Sequence, residues 1–176
     1  VILGALLAAA ALAATAPADR ATLVLVRALS YDRALGRRSG ELRIAVVHPE
    51  GDARVVSAVG AVLDGLREVT VAGRPVGAWK AEPATGGTPW RERLAGYDAV
   101  LLAPGVGGVL IDVVAAAREL DVATLALDPT FVGRGASLGV DQRGSRLQIL
   151  VDRAEASAEG ADLSGELLEM AVEVAP

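Results

Sequence analysis

Residues 98–127 read DAVLLAPGVGGVLIDVVAAARELDVATLAL, and their pattern decides the fold class. Asp98 to Ala103 is an apolar run of strand length. Pro104-Gly105-Val106-Gly107-Gly108 interrupts it and turns the chain. Val109, Val113, Ala117 and Leu120 then recur at helical spacing, which gives one apolar helix face. Val122 to Leu127 returns to an apolar strand run. The segment is a strand-turn-helix unit followed directly by the next strand.

The same alternation extends in both directions. Upstream, Leu42 to Val47 is a short apolar run, and Asp52 caps a helix whose apolar face is Val55, Val59, Val62 and Leu66. Glu68 to Val71 and Pro75 to Lys80 read as strand segments around a Gly73-Arg74 turn. Glu82 to Pro89 is a breaker-rich loop, with a short helix at Trp90 to Leu94. A first helix runs from Asp19 to Leu35 and stops at Gly36. Downstream, Ala136 to Val140 and Arg146 to Val151 flank Asp141 to Ser145 as a hairpin. A last helix covers Leu163 to Val174. Successive strand-turn-helix units imply an α/β fold with a mainly parallel sheet, helices on both faces and a C-terminal antiparallel hairpin at one edge. Residues 19–176 form one domain.

Composition narrows the function. Apolar residues make up 52% of the 176 residues and aromatics only 3%, so small and branched side chains must fill the core. The net charge is −5, and no basic cluster exceeds Arg37-Arg38, which argues against nucleic-acid binding. Cysteine is absent, which excludes disulfides, thiolate zinc sites and a thiol nucleophile. Glu155, Glu159, Glu166, Glu169 and Glu173 make the C-terminal region acidic and read as a solvated helix face.

The first fourteen residues, VILGALLAAAALAA, carry no charge and are shorter than the roughly 20 apolar residues a membrane span needs. Alternate small residues follow at Ala14, Ala16 and Ala18. Residues 1–18 are therefore expected to belong to a signal peptide cleaved after Ala18, which implies export to the periplasm. An uncleaved anchor and an apolar helix belonging to the core are the alternatives.

Ligands of open α/β sheets bind beyond the carboxyl ends of the strands. Three segments meet that rule. The first is His48, after the first strand. The second is the glycine turn, where Gly105, Gly107 and Gly108 leave backbone N–H groups free at a helix start to receive an anion. Tight turning is its plainer explanation. The turn lacks the third glycine of the dinucleotide fingerprint, and no Walker loop occurs. The third is Asp128 with Thr130, where Asp128-Pro129 also reads as an ordinary turn starter. His48, the only histidine, lacks the partners for a metal site or for base catalysis. No metal, cofactor or catalytic residue is expected. Of Trp79 and Trp90, one suits the core and the other a partner-binding anchor.

Several segments occur in a characteristic order. They are Arg27 to Arg33 (RALSYDR), Leu42 to Val47 (LRIAVV), Gly73 to Val76 (GRPV) and Tyr97 to Leu101 (YDAVL), then Gly133 to Val140 (GRGASLGV), Ile149 to Val151 and Glu159 to Ser164 (EGADLS). In this the chain resembles the YfiR/HmsC-like family. The resemblance implies a periplasmic α/β protein, a homodimer, that represses a membrane-bound diguanylate cyclase by holding its periplasmic sensor. Tyr31 and Arg33 would meet that partner. The chain departs from the family in lacking cysteine pairs, in carrying Asp152 in place of Asn, and in having Leu163 for an aromatic residue.

The expectation is thus a binding protein that regulates a membrane signalling enzyme and lowers cyclic-di-GMP. A solute-binding module using the strand-end cleft is the alternative. An enzyme using His48 and Asp128 stands third.

Overall fold

Every residue of the runs Ile44–Val47, Ala99–Leu102 and Ala123–Ala126 is buried. Side chains alternate across a sheet, so a run buried throughout must be covered on both faces. The computed structural model describes residues 17–175 and shows that arrangement. Its strands are β1 (Ile44–His48), β2 (Thr70–Val71), β3 (Arg74–Pro75), β4 (Lys80–Pro83), β5 (Ala99–Leu102), β6 (Ala123–Ala126), β7 (Leu138–Arg143), β8 (Arg146–Val151) and β9 (Val172–Glu173). Seven form one sheet in the order β4-β1-β5-β6-β7-β8-β9, and β2 and β3 pair separately. All neighbours in the large sheet are parallel except β7 and β8, which form the antiparallel hairpin.

The helices are α1 (Ala18–Ala28), α2 (Arg33–Gly36), α3 (Ala53–Gly65), α4 (Trp90–Arg93), α5 (Leu110–Leu120), α6 (Arg153–Ala158) and α7 (Gly165–Met170). On one face of the sheet, Ile44, Val46, Leu101, Leu125 and Leu138 pack against Leu25, Val59, Leu63 and Leu167 of α1, α3 and α7. On the other, Ala45, Val47, Val100 and Leu102 meet Leu94, Val113 and Ala117, from the end of α4 and from α5. Helices therefore cover both faces, as the sequence pattern requires.

Local chemistry moves several boundaries. The first helix does not run unbroken to Leu35. It ends in a 3₁₀ turn at Leu29–Tyr31, and the buried Asp32 carboxylate then caps α2 by accepting from the Ala34 and Leu35 amides. The strand expected over Pro75 to Lys80 is present only at its two ends, as β3 at Pro75 and as β4, which starts at Lys80 and runs to Pro83, into what read as loop. Pro83 is tolerated because β4 is an edge strand, where a missing N–H costs no ladder bond. The last helix stops at Met170, and the chain adds β9 beside β8. The hairpin is thus one strand in from the edge. A further helix, α6, begins where Asp152 accepts a hydrogen bond from the Glu155 amide at 3.0 Å. Asp152-x-x-Glu155 is a capping signature visible in the sequence.

The leader expected over residues 1–18 falls almost wholly outside the described residues. Ala18 already belongs to α1, and its carbonyl accepts from the Thr22 hydroxyl at 2.6 Å. No helix among the described residues is long and apolar enough to cross a membrane. Helix α3 lies close to Trp79, whose indole ring occupies the space a Cβ on Gly60 would need. Trp79 also donates from Nε1 to Asp64 at 3.1 Å.

Two buried polar clusters close the N-terminal ends of the strands. In the first, Arg74 donates to both oxygens of Asp98, at 2.8 and 2.9 Å, and to the backbone carbonyls of Gly40 and Glu41. Asp98 in turn accepts from the Arg43 amide at 2.9 Å. In the second, Glu159 is buried, against the expectation that it lies on a solvated face. Its carboxylate accepts from the Thr124 amide at 3.0 Å and from the Thr124 hydroxyl at 2.5 Å. The Thr124 hydroxyl also accepts from the Ser137 amide at 2.7 Å. Burial raises the Glu159 pKa to about 7, since these hydrogen bonds only partly offset the lost hydration.

Both clusters give measurable outcomes. Arg74→Met strands a buried carboxylate and is expected to cost about 3–5 kcal/mol in urea unfolding. Adding Asp98→Asn should recover some of that loss, and strictly additive costs would show that the pair is not coupled. Because the folded state binds the Glu159 proton more tightly than the unfolded chain, stability from this group is full at low pH. It falls as pH rises from the unfolded value of 4.5 to about 7, then stays level. Glu159→Gln keeps the neutral hydrogen-bond pattern, so it should flatten that slope and stabilise the domain at pH 8 by roughly 3 kcal/mol. Melting curves from pH 4 to pH 8 read this directly, and an unchanged slope in the variant would refute it.

Candidate functional site

Chain crossings determine where neighbouring strand ends part. From β1 the chain passes through α3 on one face to reach β4. From β5 it passes through α5 on the opposite face to reach β6. The loops that leave β1 and β5 therefore diverge, although the two strands are neighbours. Such a switch point is where open α/β sheets hold their ligands.

Four loops form a continuous rim there. The β1 loop carries His48 and Pro49, and the His48 carbonyl accepts from the Ala84 amide at the end of β4, at 2.8 Å. Thr85 donates to Glu50 at 3.2 Å across the same boundary. Pro49 faces the β5 loop so closely that a Cβ on Gly105 would lie 3.0 Å from its Cγ. Gly105 also has φ +88°, a conformation that side chains rarely adopt. The β5 loop next meets the β6 loop, because a Cβ on Gly107 would lie 3.7 Å from Phe131 and 4.0 Å from the Arg134 guanidinium.

The structure places the expected residues along these loops. His48 is half-buried, and its Nδ1–H donates to the Pro49 carbonyl at 2.8 Å. A carbonyl can only accept, so Nδ1 carries the proton of that bond. The amides of Gly107 and Gly108 make no hydrogen bond to any described residue, and Gly108 has open space where a side chain would stand. Asp128 starts a 3₁₀ turn over Pro129–Phe131. One oxygen accepts from the Thr130 amide at 2.9 Å and from its hydroxyl at 2.6 Å. The Thr130 hydroxyl is therefore committed to Asp128.

Sequence reasoning missed Arg134. It is exposed and reaches the glycine turn from the crossover between β6 and β7, where only the fold brings it. His48 and Asp128 are not brought together as a catalytic pair. Strand β5 lies between β1 and β6, which places the two strand ends roughly 10 Å apart. Among the described residues no group of acidic and histidine side chains is arranged to hold a metal.

Tyr31 and Arg33 lie away from this rim and are engaged within the chain. Arg33 pairs with Asp162 at 2.7 Å, and the Tyr31 carbonyl accepts from the Ser164 amide. Paired with Arg33 and Arg37, the Asp162 carboxyl stays below its usual pKa. A separate open cavity of about 560 Å³ runs along the outer edge of β4, lined by Arg43, Lys80, Glu82, Thr85, Thr88 and Arg93, among others.

Comparison with known proteins places the fold. No family model and no curated protein matches the chain. Solved structures do. A conserved domain protein from Vibrio cholerae O1 biovar El Tor superposes with a TM-score of 0.63 at 14% identity, covering 89% of this chain and 60% of that one. The ABC domain in complex with L-Trp from Streptococcus pneumoniae superposes with a TM-score of 0.60 at 13% identity, covering 90% of this chain and 62% of that one. The chain spans about 60% of the length of either neighbour and shares its α/β fold.

Proposed function

We propose that this chain is a binding protein for a small zwitterionic or anionic solute, held at the rim around the β1–β5 switch point. The observation that carries this reading is the close approach of loops from opposite sides of the switch, Pro49 against Gly105, with Arg134 beside the same glycine turn. Backbone amides at Gly107 and Gly108 and the Arg134 guanidinium supply donors for a carboxylate. Asp128 lies on the adjoining loop with one oxygen unclaimed and can receive an ammonium. The neighbour from Streptococcus pneumoniae was solved with L-Trp, an amino acid with both groups, which supports the choice of solute class.

The expected regulator of a membrane diguanylate cyclase remains a proposal of a different kind. A partner that docks on Tyr31 and Arg33 must displace the Arg33–Asp162 ion pair. That pair is exposed and screened by solvent, so displacing it costs little. Such a partner need not compete with a solute at the rim.

The test is thermal unfolding against a panel of L-amino acids, L-tryptophan included. A bound solute raises the melting temperature as its concentration passes Kd. Gly107→Val fills the space below Arg134 and is expected to abolish the shift. Gly108→Ala, which adds a methyl to open space, should retain it. If no amino acid shifts the wild type, or if Gly107→Val shifts equally, the reading fails.

A further inference from the structure

The groove along β4 has a charge pattern the rim reading does not use. Glu82 lies at its floor with only 6% of its side chain exposed. Two cations share that one carboxylate. Arg93 Nε donates to Oε2 at 3.0 Å, and the Lys80 ammonium sits 2.7 Å from Oε1. Lys80 approaches as an ion pair, outside hydrogen-bonding alignment, so Oε1 has no aligned donor. Burial pushes the Glu82 pKa up, but Lys80 and Arg93 together outweigh it and hold the group ionised. Lys80 is correspondingly held in its charged form.

The cations are also fixed in place. The Arg93 guanidinium lies 3.7 Å above the Trp90 ring and donates to the Pro83 carbonyl. Arg43 lies 5.0 Å over the Tyr97 ring, and no carboxylate among the described residues pairs with its side chain. Stacked guanidinium groups keep their planar donors while losing little freedom on binding. The hydroxyls of Thr85 and Thr88 line the same groove. Three cations thus face Glu82 and Glu92, leaving a net positive groove on a chain of net charge −5. A local excess of positive charge against an acidic background selects anions.

We propose that this groove is a second binding site, for a small multiply charged anion bearing carboxylate or phosphate groups, held chiefly by Arg43 with Lys80 and the Thr88 hydroxyl. The site does not depend on the rim, since Gly105, Gly107 and Arg134 do not line it.

Calorimetric titration of the folded chain at low ionic strength tests this with citrate, inorganic phosphate and neutral glycerol. Saturable binding of at least one anion, weakened by added salt, is the expected result, with none for glycerol. Preference for citrate assigns a carboxylate ligand, and preference for phosphate assigns a phosphoryl one. Arg43→Gln keeps the backbone amide that binds Asp98 and should weaken binding by about tenfold, the loss of one charge-assisted contact. Arg43→Glu should abolish it. Arg146→Gln, an exposed change on β8, and Gly107→Val should leave it intact. No saturable heat with either anion, equal affinity in Arg43→Gln, or an equal loss in Arg146→Gln would overturn the proposal.

Discussion

The buried ion pair between Arg74 and Asp98 is the contact on which the order of the N-terminal strand ends depends. Two charges taken out of water are costly unless every donor and lone pair is used. Here the guanidinium reaches both carboxylate oxygens and the carbonyls of the 39–41 loop, and the carboxylate also takes the Arg43 amide. One side chain therefore joins the small β2–β3 hairpin, the entry to β1 and the entry to β5. The ladder continues outward from that point, since the Asp98 carbonyl accepts from the Ala123 amide at the start of β6. The Glu159 cluster has a similar role at the next strand, tying α6 to Thr124 on β6 and, through it, to Ser137 before β7. It differs in being a carboxyl group with no cation in contact, which is why burial moves its pKa so far.

With the strand starts held by polar clusters, the strand ends are left free for the proposed binding surface. Their loops are rich in glycine and proline, and one of their approaches leaves little room for a side chain on the facing residue. Pro49 can abut the β5 loop only because residue 105 has no Cβ and has φ +88°. The switch point there follows from a reversal of crossover direction rather than from any motif. This explains why the glycine turn matches neither a dinucleotide fingerprint nor a phosphate loop and yet stands where such sites stand.

Charge is distributed with similar economy. Most arginines are engaged with particular acids: Arg33 and Arg37 with Asp162, Arg74 with Asp98, Arg118 with Glu155. Against that background, the stacked Arg43, which pairs with no carboxylate among the described residues, stands out as positive charge held beside open space. The rim and the β4 groove share the 84–89 loop, because Thr85 lines the groove and donates to Glu50 of the rim.

Periodicity alone identified the fold class, because strands covered on both faces must be apolar at every position and helices covered on one face must not. Ile44–Val47, Ala99–Leu102 and Ala123–Ala126 show the first pattern and α3 and α5 the second. The sequence also located His48, the glycine turn and Asp128, since each follows an apolar run. It did not distinguish Glu159 from its exposed neighbours, as its burial depends on Thr124 and Ser137, both distant along the chain. Nor did it reveal Arg134 beside Gly107, or the Lys80–Glu82–Arg93 cluster, which required β4 to be recognised as a strand. A single chain shows local spacing, which fixes elements. Strand order and crossover direction decide which distant side chains meet, and those were settled only when the packed faces of the sheet were covered.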